Sequence, residues 1–598
     1  MAFIDLFDPK GKRMLDYSFD RNGRDPEPGD CIALRDFSGV LPREAWSLDK
    51  ERGKWQLVPY ELQDGQKGRL LVVNDVAGDD GDRAVPAELE LDPGLSGWYA
   101  VWVGIPNLDM KPIINTEALV DIALDGEPFS GLGPEFGRRH KKLMGPTGVE
   151  INCFWKCVKL DGRQIKLRVP FGTYLSQPWG LVRSILSSVQ LVKVDETQAH
   201  EYIADISNPA HKKVLQYVDG FSHYWHAGKP GKGIDLRYAE KHGFSDHKIL
   251  FLQTPSTGVA NWPSEVTDYP GATFSEEEWK SMRRGDKRVY EYIRWASENG
   301  QEGMRVLSDA CAKVGLEFHA SLRMNLFWRT ESIFGMSDKF LNGPWWFGHP
   351  EARKPGKAQI DYAHPAARRF VLDILSELAA NYEVGGINLD FTRWPPIADP
   401  QRHDCSVLTS FIKEVRAELD RISQDKGKRL VLSATMVEGA HARDEDRRMM
   451  TLEDQRIDFE GWVASGALDF VCVQTWRHDR YIGTAHRHGV RYYCEYDNVP
   501  PETPGGREDT PEWCDQEDPV PGEELHEQPP IVSSVDPLEM YRAALKQLRA
   551  GADGVSFMNF AGRSMGRLGH LNEMEELAAA GKIWGQTIGE PIVLHESY

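Results

Sequence analysis

The chain has 598 residues, 41% of them hydrophobic and 27% charged, and a net charge of −20 from 71 basic and 91 acidic side chains. That length asks for roughly two to four domains, and that charge excludes nucleic acid as the main partner, because binding phosphate needs a basic surface. No run reaches the roughly 18 apolar residues of a membrane-spanning helix, and no membrane partner is expected.

The opening MAFIDLFDPKGKRMLDYSFD has neither the charged nor the apolar region of a secretory signal. The expectation is a cytoplasmic protein, or a mature form from which a signal was removed. The eight cysteines are scattered, with no CxxC pair and no ordered His/Cys spacing. They read as reduced, mostly buried thiols, with neither a zinc site nor a disulfide framework.

Residues 1–208 read as all-β. Short runs rich in Val, Ile, Trp and Tyr, such as GWYAVWVGI, EALVDIALDG, EINCFWKCVKLDG, QIKLRVP and LSSVQLVKV, are bounded by Gly, Pro and Asp turns. That spacing predicts a β-sandwich, jelly-roll-like in character, which would bind glycan or buttress the C-terminal part of the chain. Its likeness to the accessory domains of carbohydrate-active enzymes is one of architecture.

From about residue 209 to 598 strands alternate with amphipathic helices, the pattern of βα units around a parallel sheet. The predicted strands are GFSHYW, KILFLQT, LEFHASLRMN, GGINLDFTRW, RLVLSATM, LDFVCVQTW, VRYYCEYD and GVSFMNF. Eight such units fit a (β/α)8 TIM barrel, giving an α/β chain with a β-sandwich ahead of it. The main structural rival is a doubly wound open sheet, which would want a glycine-rich phosphate turn; no GxGxxG or Walker sequence is present. Two helices read clearly: one opened by His364-Pro365, and one over SVDPLEMYRAALKQLRAG with Asp536 as N-cap and Gly551 at its end. Two connections are long. Asn325 to Ala363 is rich in aromatics, including Trp328, Phe334, Phe340, Trp345 and Trp346, and Asn498 to about Ser534 is acidic and proline-rich. In a barrel both would emerge on the catalytic face.

Side chains alternate along a strand. In GINLDFTR, Ile387, Leu389 and Phe391 share one face and Asn388, Asp390 and Thr392 the other. The same parity groups His319, Ser321, Arg323 and Asn325 on the third strand, and Tyr493, Glu495 and Asp497 on the seventh. Gln253, Gln474 with Trp476, and Asn559 end the second, sixth and eighth strands, and His223 lies at the end of the first as predicted. Strands that turn polar together near their C-terminal ends describe one pocket.

Two carboxylates flanking a bond are what glycoside hydrolysis needs, one as acid and the other as nucleophile or base. Asp390 and Glu495 are the expected pair, and Gln253, His319, Arg323, Asn325, Asn388, Arg393, Gln474, Trp476, Asn559 and His223 are the expected substrate contacts. Aromatic side chains of the long loop would stack on sugar rings. Arg323, Arg393, Arg477 and Arg563 fall at or just after strand ends, and such a rim on an acidic protein points to an anionic glycan. No cofactor or metal is expected: His486-x-His488 lies at a helix end away from the mouth, and His223-x-x-His226 resembles a ligand pair only superficially.

The runs GLEFHASLRMN, IDYAHPAARRFVLDILSELAANYEVGGINLDFTRWP and GADGVSFMNF resemble the glycoside-hydrolase-like (β/α)8 proteins of bacteria over about residues 215 to 565. The resemblance implies that Asp390 is the catalytic carboxylate of the fourth strand. Glu495 resembles the strand-seven nucleophile of the large retaining clan, which however carries an Asn-Glu pair where this chain has Asn388-Leu389-Asp390. If strand four carries the nucleophile instead, as in the α-amylase and α-galactosidase clans, Glu438 or Asp479 would be the acid.

The leading expectation is therefore a glycoside hydrolase acting on an oligo- or polysaccharide. The alternative is a non-catalytic glycan-binding protein on the same barrel. A metal-dependent hydrolase lacks a His-x-His on strand one, and an aldolase lacks an inward-facing strand lysine. Sugar, linkage, stereochemistry and oligomeric state are not encoded in any spacing along the chain.

Overall fold

The computed structural model describes residues 31–74, 85–107, 119–133, 148–170, 175–177, 180–221, 224, 239, 245–282, 284–327, 338–354, 359–392, 404–443, 449–475, 477–496, 537–558, 566–579 and 584–594. Eight parallel strands close a barrel: Val214–Val218, His247–Gln253, Glu317–Arg323, Gly386–Asp390, Val431–Val437, Phe470–Gln474, Arg491–Tyr496 and Gly554–Met558. The eighth pairs back onto the first, Val214 opposite Val555 and Tyr217 opposite Met558. Closure leaves no strand edge unpaired, so every wall residue is held by neighbours on both sides.

Seven of these strands lie where the sequence places them. The first does not: it is VLQYV, ending at Val218, and GFSHYW comes after it. The aromatic residues that suggested a strand there pack elsewhere, Phe221 against Phe340 and Tyr224 against Tyr292.

The helices form for local reasons that also fix them on the barrel. In Pro365–Asn381, His364 accepts the Ala366 amide as N-cap and Pro365 occupies the first turn, where no backbone donor is needed. Phe370, Val371, Ile374, Leu375 and Leu378 recur at helical spacing and are buried. Ile387, Leu389 and Phe391, the outward set of the fourth strand, lie in the same apolar cluster as that helix face. Burial of each such side chain contributes about 1.5–3 kcal/mol.

The N-terminal part is a ten-stranded sheet and a four-stranded antiparallel sheet whose apolar residues share one core, Leu57, Val101 and Trp155 from the first and Leu89, Ile122 and Ile165 from the second. One strand comes from the far end of the sequence. Gln586–Leu594, expected in the barrel portion, pairs antiparallel with both Gly148–Lys159 and Trp55–Leu62. The boundary at residue 208 is thus crossed by a returning strand. The outer face of the large sheet is covered by the helix Glu196–Ile206, where Phe154 meets Tyr202 and Trp584 edge-on. None of the helices among the described residues is long and apolar enough to cross a membrane.

Candidate active site

The inward face of the fourth strand carries Asn388 and Asp390, as parity requires. Asn388 is largely engaged: its amide donates to Ser321 at 2.9 Å and its carbonyl accepts from Ser433 at 3.0 Å and Thr435 at 3.1 Å. It therefore knits strands three, four and five together inside the wall, and has little left to offer a ligand.

Asp390 closes that strand and is 2% exposed. One carboxylate oxygen accepts from the Thr392 amide at 2.9 Å and the Thr392 hydroxyl at 2.6 Å; the other accepts from Gln253 Nε2 at 2.6 Å. All three of these partners are donors, so the carboxylate is fixed in orientation through both oxygens. Gln253 in turn accepts at Oε1 from Arg323 Nη2 at 3.0 Å, and the same nitrogen donates to Asp219 at 3.0 Å. Asp219, Gln253, Arg323 and Asp390, from the ends of strands one to four, thus form one continuous chain of hydrogen bonds.

Around that chain several donors are unspent. Arg323 Nε and Nη1, Asn325 Nδ2 and Gln474 Nε2 are buried without a hydrogen-bond partner among the described residues. Asn325 uses its carbonyl to accept the Ile360 amide at 3.1 Å, which pins the returning end of the long third connection beside the mouth. Buried donors without partners cost about 1–3 kcal/mol each, so a place that collects them is suited to a ligand rich in acceptor oxygens.

Glu495 is 2% exposed on strand seven and accepts from the Ser556 hydroxyl of strand eight. Its other neighbours, Tyr217 and Cys472, belong to the apolar cluster that fills the barrel interior. Burial raises the Tyr217 phenol well above its ordinary pKa, with Cys472 and Glu495 adding to the effect. Asp390 and Glu495 are therefore both inward-facing near the C-terminal ends of their strands, but their partners differ: Asp390 is held by Thr392 and Gln253, Glu495 by Ser556.

Several expectations meet a different environment. His319 is wholly buried with its ring among Phe251 and Phe470, and its Nε2 lies 3.4 Å from Glu317, the first residue of the same strand. Burial lowers its pKa, with Glu317 opposing. Third of seven residues in its strand, it lies toward the end remote from Asp390. Glu438 accepts from Arg477 at 2.6 Å, from Tyr481 at 2.8 Å and from the Thr475 hydroxyl. Burial pushes its pKa up, and those bonds outweigh burial and hold it below the ordinary carboxylate value, the wrong direction for an acid. Asp479 is exposed in the first turn of the helix His478–Arg487. Among the described aromatics of the third connection, Trp346 stacks on Phe327 and Trp345 on Phe370, each at 4.3 Å, as packing residues, while Trp328 and Phe334 lie outside the described residues. Phe340 is buried. His223, Arg393, Trp476, Asn559 and Arg563 lie outside the described residues, as does the acidic connection after Asn498.

Asp219 is the residue that sequence reasoning misses. Placing the first strand at GFSHYW leaves the carboxylate that comes directly after VLQYV ahead of the strand instead of at its end. The signal is present all the same: an apolar run ending in Asp is the pattern that singles out Asp390.

Taken together, the chain is a (β/α)8-barrel protein with a polar, carboxylate-bearing mouth at the C-terminal ends of its strands, the position of catalytic sites on this fold. No family model and no curated protein matches it. Among solved structures it is similar to the glycoside hydrolase domain of PgaB (BpsB) from Bordetella bronchiseptica, with 13% identity, 62% of this chain and 99% of that one covered, and a TM-score of 0.32. It is also similar to the chitinase RmChi1 from Rhizomucor miehei, with 13% identity, coverage of 61% and 99%, and a TM-score of 0.29. A GH36 α-galactosidase from Geobacillus stearothermophilus shares 10% identity over 86% of this chain and 65% of its own, with a TM-score of 0.29. Likenesses this distant assign no activity; the barrel rests on its own strand pairing.

Proposed function

We propose that the chain is a glycoside hydrolase that cleaves an oligo- or polysaccharide, with Asp390 and Glu495 as its carboxylate pair. The observation that carries the reading is Asp390, a buried carboxylate at the end of a barrel strand that receives three hydrogen bonds and faces a mouth of unspent donors. Asp390, so oriented, is assigned the nucleophile or the base toward water. Glu495, with a hydroxyl, a thiol and a phenol around it, is assigned the acid that protonates the leaving oxygen. Arg323, Asn325 and Gln474 would hold sugar oxygens.

The solved barrels named above are described as chitinase, α-galactosidase and glycoside hydrolase domain, which agrees with this class without adding to it. The anionic option rests on Arg393 and Arg563, since Arg323 is bonded to Asp219 and Arg477 to Glu438. The N-terminal sheets are proposed as a glycan-binding or buttressing part. One observation favours the competing reading, a glycan-binding barrel without chemistry: Glu495 is engaged by the Ser556 hydroxyl.

The test is turnover of a panel of neutral, acetamido and uronic 4-nitrophenyl glycosides. Asp390→Asn and Glu495→Gln are each expected to lower kcat by about a hundredfold or more with an unchanged unfolding midpoint. Wild-type turnover in both variants would reject the pair, and binding of oligosaccharides without new reducing ends would favour the competing reading.

A further inference from the structure

We infer that Asp219 is a positioning residue for Asp390, acting across the mouth through Arg323 and Gln253. The inference rests on the hydrolase reading for its kinetic test only; the geometry it invokes stands alone.

A glutamine amide can present either end to a carboxylate, and only one end is attractive. Here both ends are dictated. Gln253 Oε1 accepts from the Arg323 guanidinium at 3.0 Å, which turns Nε2 toward Asp390, where it donates at 2.6 Å. Reversal would set the amide oxygen against the Asp390 carboxylate and the amide hydrogens against the guanidinium, two repulsive contacts in a buried place.

Arg323 is kept in that posture by Asp219. Its Oδ2 accepts from Arg323 at 3.0 Å, while its Oδ1 accepts the Phe221 amide at 2.8 Å. The next residue, Gly220, lies so close to strand two that an added Cβ would stand 1.7 Å from the Gln253 carbonyl oxygen. The backbone carrying Asp219 is thus seated directly on the end of the strand that carries Gln253. Without the Asp219 charge, the nearly buried guanidinium would turn to the carboxylate beside it among the described residues, Asp390, its register partner on strand four, and pairing there would displace Gln253. Asp219 therefore does two things. It fixes the amide that holds Asp390, and it keeps Arg323 off Asp390 with three of its five N–H groups still free for substrate oxygens.

Two measurements decide it. In a crystal structure of Asp219→Asn, the Arg323 guanidinium is expected within about 4 Å of the Asp390 carboxylate, with the Gln253 amide displaced. Arg323 and Gln253 left where they are would overturn the inference. In a kinetic double-mutant cycle with 4-nitrophenyl glycosides, Asp219→Asn and Gln253→Met are each expected to lower kcat by about ten- to a hundredfold with KM within about threefold, and the double variant to be no worse than the poorer single one. Losses that multiply, or that fall on KM, would overturn it. Asp219→Glu, which keeps the charge, is expected to recover part of kcat. A wild-type protein that hydrolyses none of the glycosides counts against the hydrolase reading, and the crystallographic result then still decides the relay.

Discussion

Carboxylates in this barrel differ in what surrounds them, and that difference sorts their roles. Glu438 illustrates a structural one: buried, bonded to Arg477, Tyr481 and Thr475, and also accepting the Leu452 amide at 3.3 Å. Removing its charge breaks the Glu438–Arg477 pair, a defect of about 2–4 kcal/mol for a pair that is partly solvent-facing at its Arg end. Glu438→Gln is accordingly expected to lower the urea midpoint while its kcat stays near wild type, checked by parallel denaturation and turnover. The sign of its pH dependence is set by its depressed pKa. The stability it contributes is present above the unfolded carboxylate value of about 4.3 and is lost as pH falls through the lower folded value. The variant should therefore lose part of the wild-type decline below about pH 4. Asp390 offers the contrast: its partners are Thr392 and Gln253, neutral groups that orient it without pairing its charge away.

At the scale of elements, one junction ties the helix Glu196–Ile206 to the N-terminal end of the barrel. Asp205 accepts from Arg567 at 2.8 Å and from His570 at 2.9 Å, and the other His570 nitrogen lies 3.1 Å from Asp246, just ahead of the second strand. His211 stands over His570 with ring centroids 4.1 Å apart. Burial lowers the His570 pKa, but Asp205 and Asp246 more than offset this and raise it to about 9. The junction therefore contributes its full stability below the unfolded histidine value of about 6.5 and loses it as pH rises through about 9. Unfolding free energies from urea titrations at intervals from pH 6.5 to 9.5 should fall, by on the order of 1 kcal/mol after screening, and His570→Gln should flatten that slope. An unchanged slope in the variant would place the effect elsewhere. None of this is legible in the sequence, because Asp205, Asp246 and His570 are far apart along the chain and carry no shared spacing. The barrel strands are legible, since each is an apolar run with an alternating inward set, and Asn388 and Asp390 betray themselves by breaking such a run. Aromatic composition misleads twice, in GFSHYW and in the third connection, because an aromatic side chain that fills a gap between elements looks the same in sequence as one that lines a strand or a sugar site.

Across the whole molecule, the first and last of the described strands, Cys31–Leu34 and Gln586–Leu594, belong to one sheet. Gln586–Leu594 fills the slot between Gly148–Lys159 and Trp55–Leu62, with Thr587 opposite Asn152 and Ile592 opposite Leu62. A strand from so far along the chain cannot be assigned to its sheet from local pattern, which is why a sequential two-part division misses it. Deleting residues 586–598 would open two strand edges in the middle of that sheet and uncover Ile592's place in its core. Such a truncation is expected to lower the unfolding midpoint by several degrees and to promote aggregation, read by calorimetry and light scattering. A truncated chain as stable and monodisperse as the full one would contradict this role for the strand.

The proposal that this barrel cuts acetals is most directly tested by the separation of the Asp390 and Glu495 carboxyl groups in a crystal structure with an oligosaccharide bound. The expected result is one sugar ring between them at about 5–9.5 Å, the shorter end denoting retention and the longer inversion. A saccharide seated against Asp390 with Glu495 still on Ser556, out of reach of the glycosidic oxygen, would contradict it.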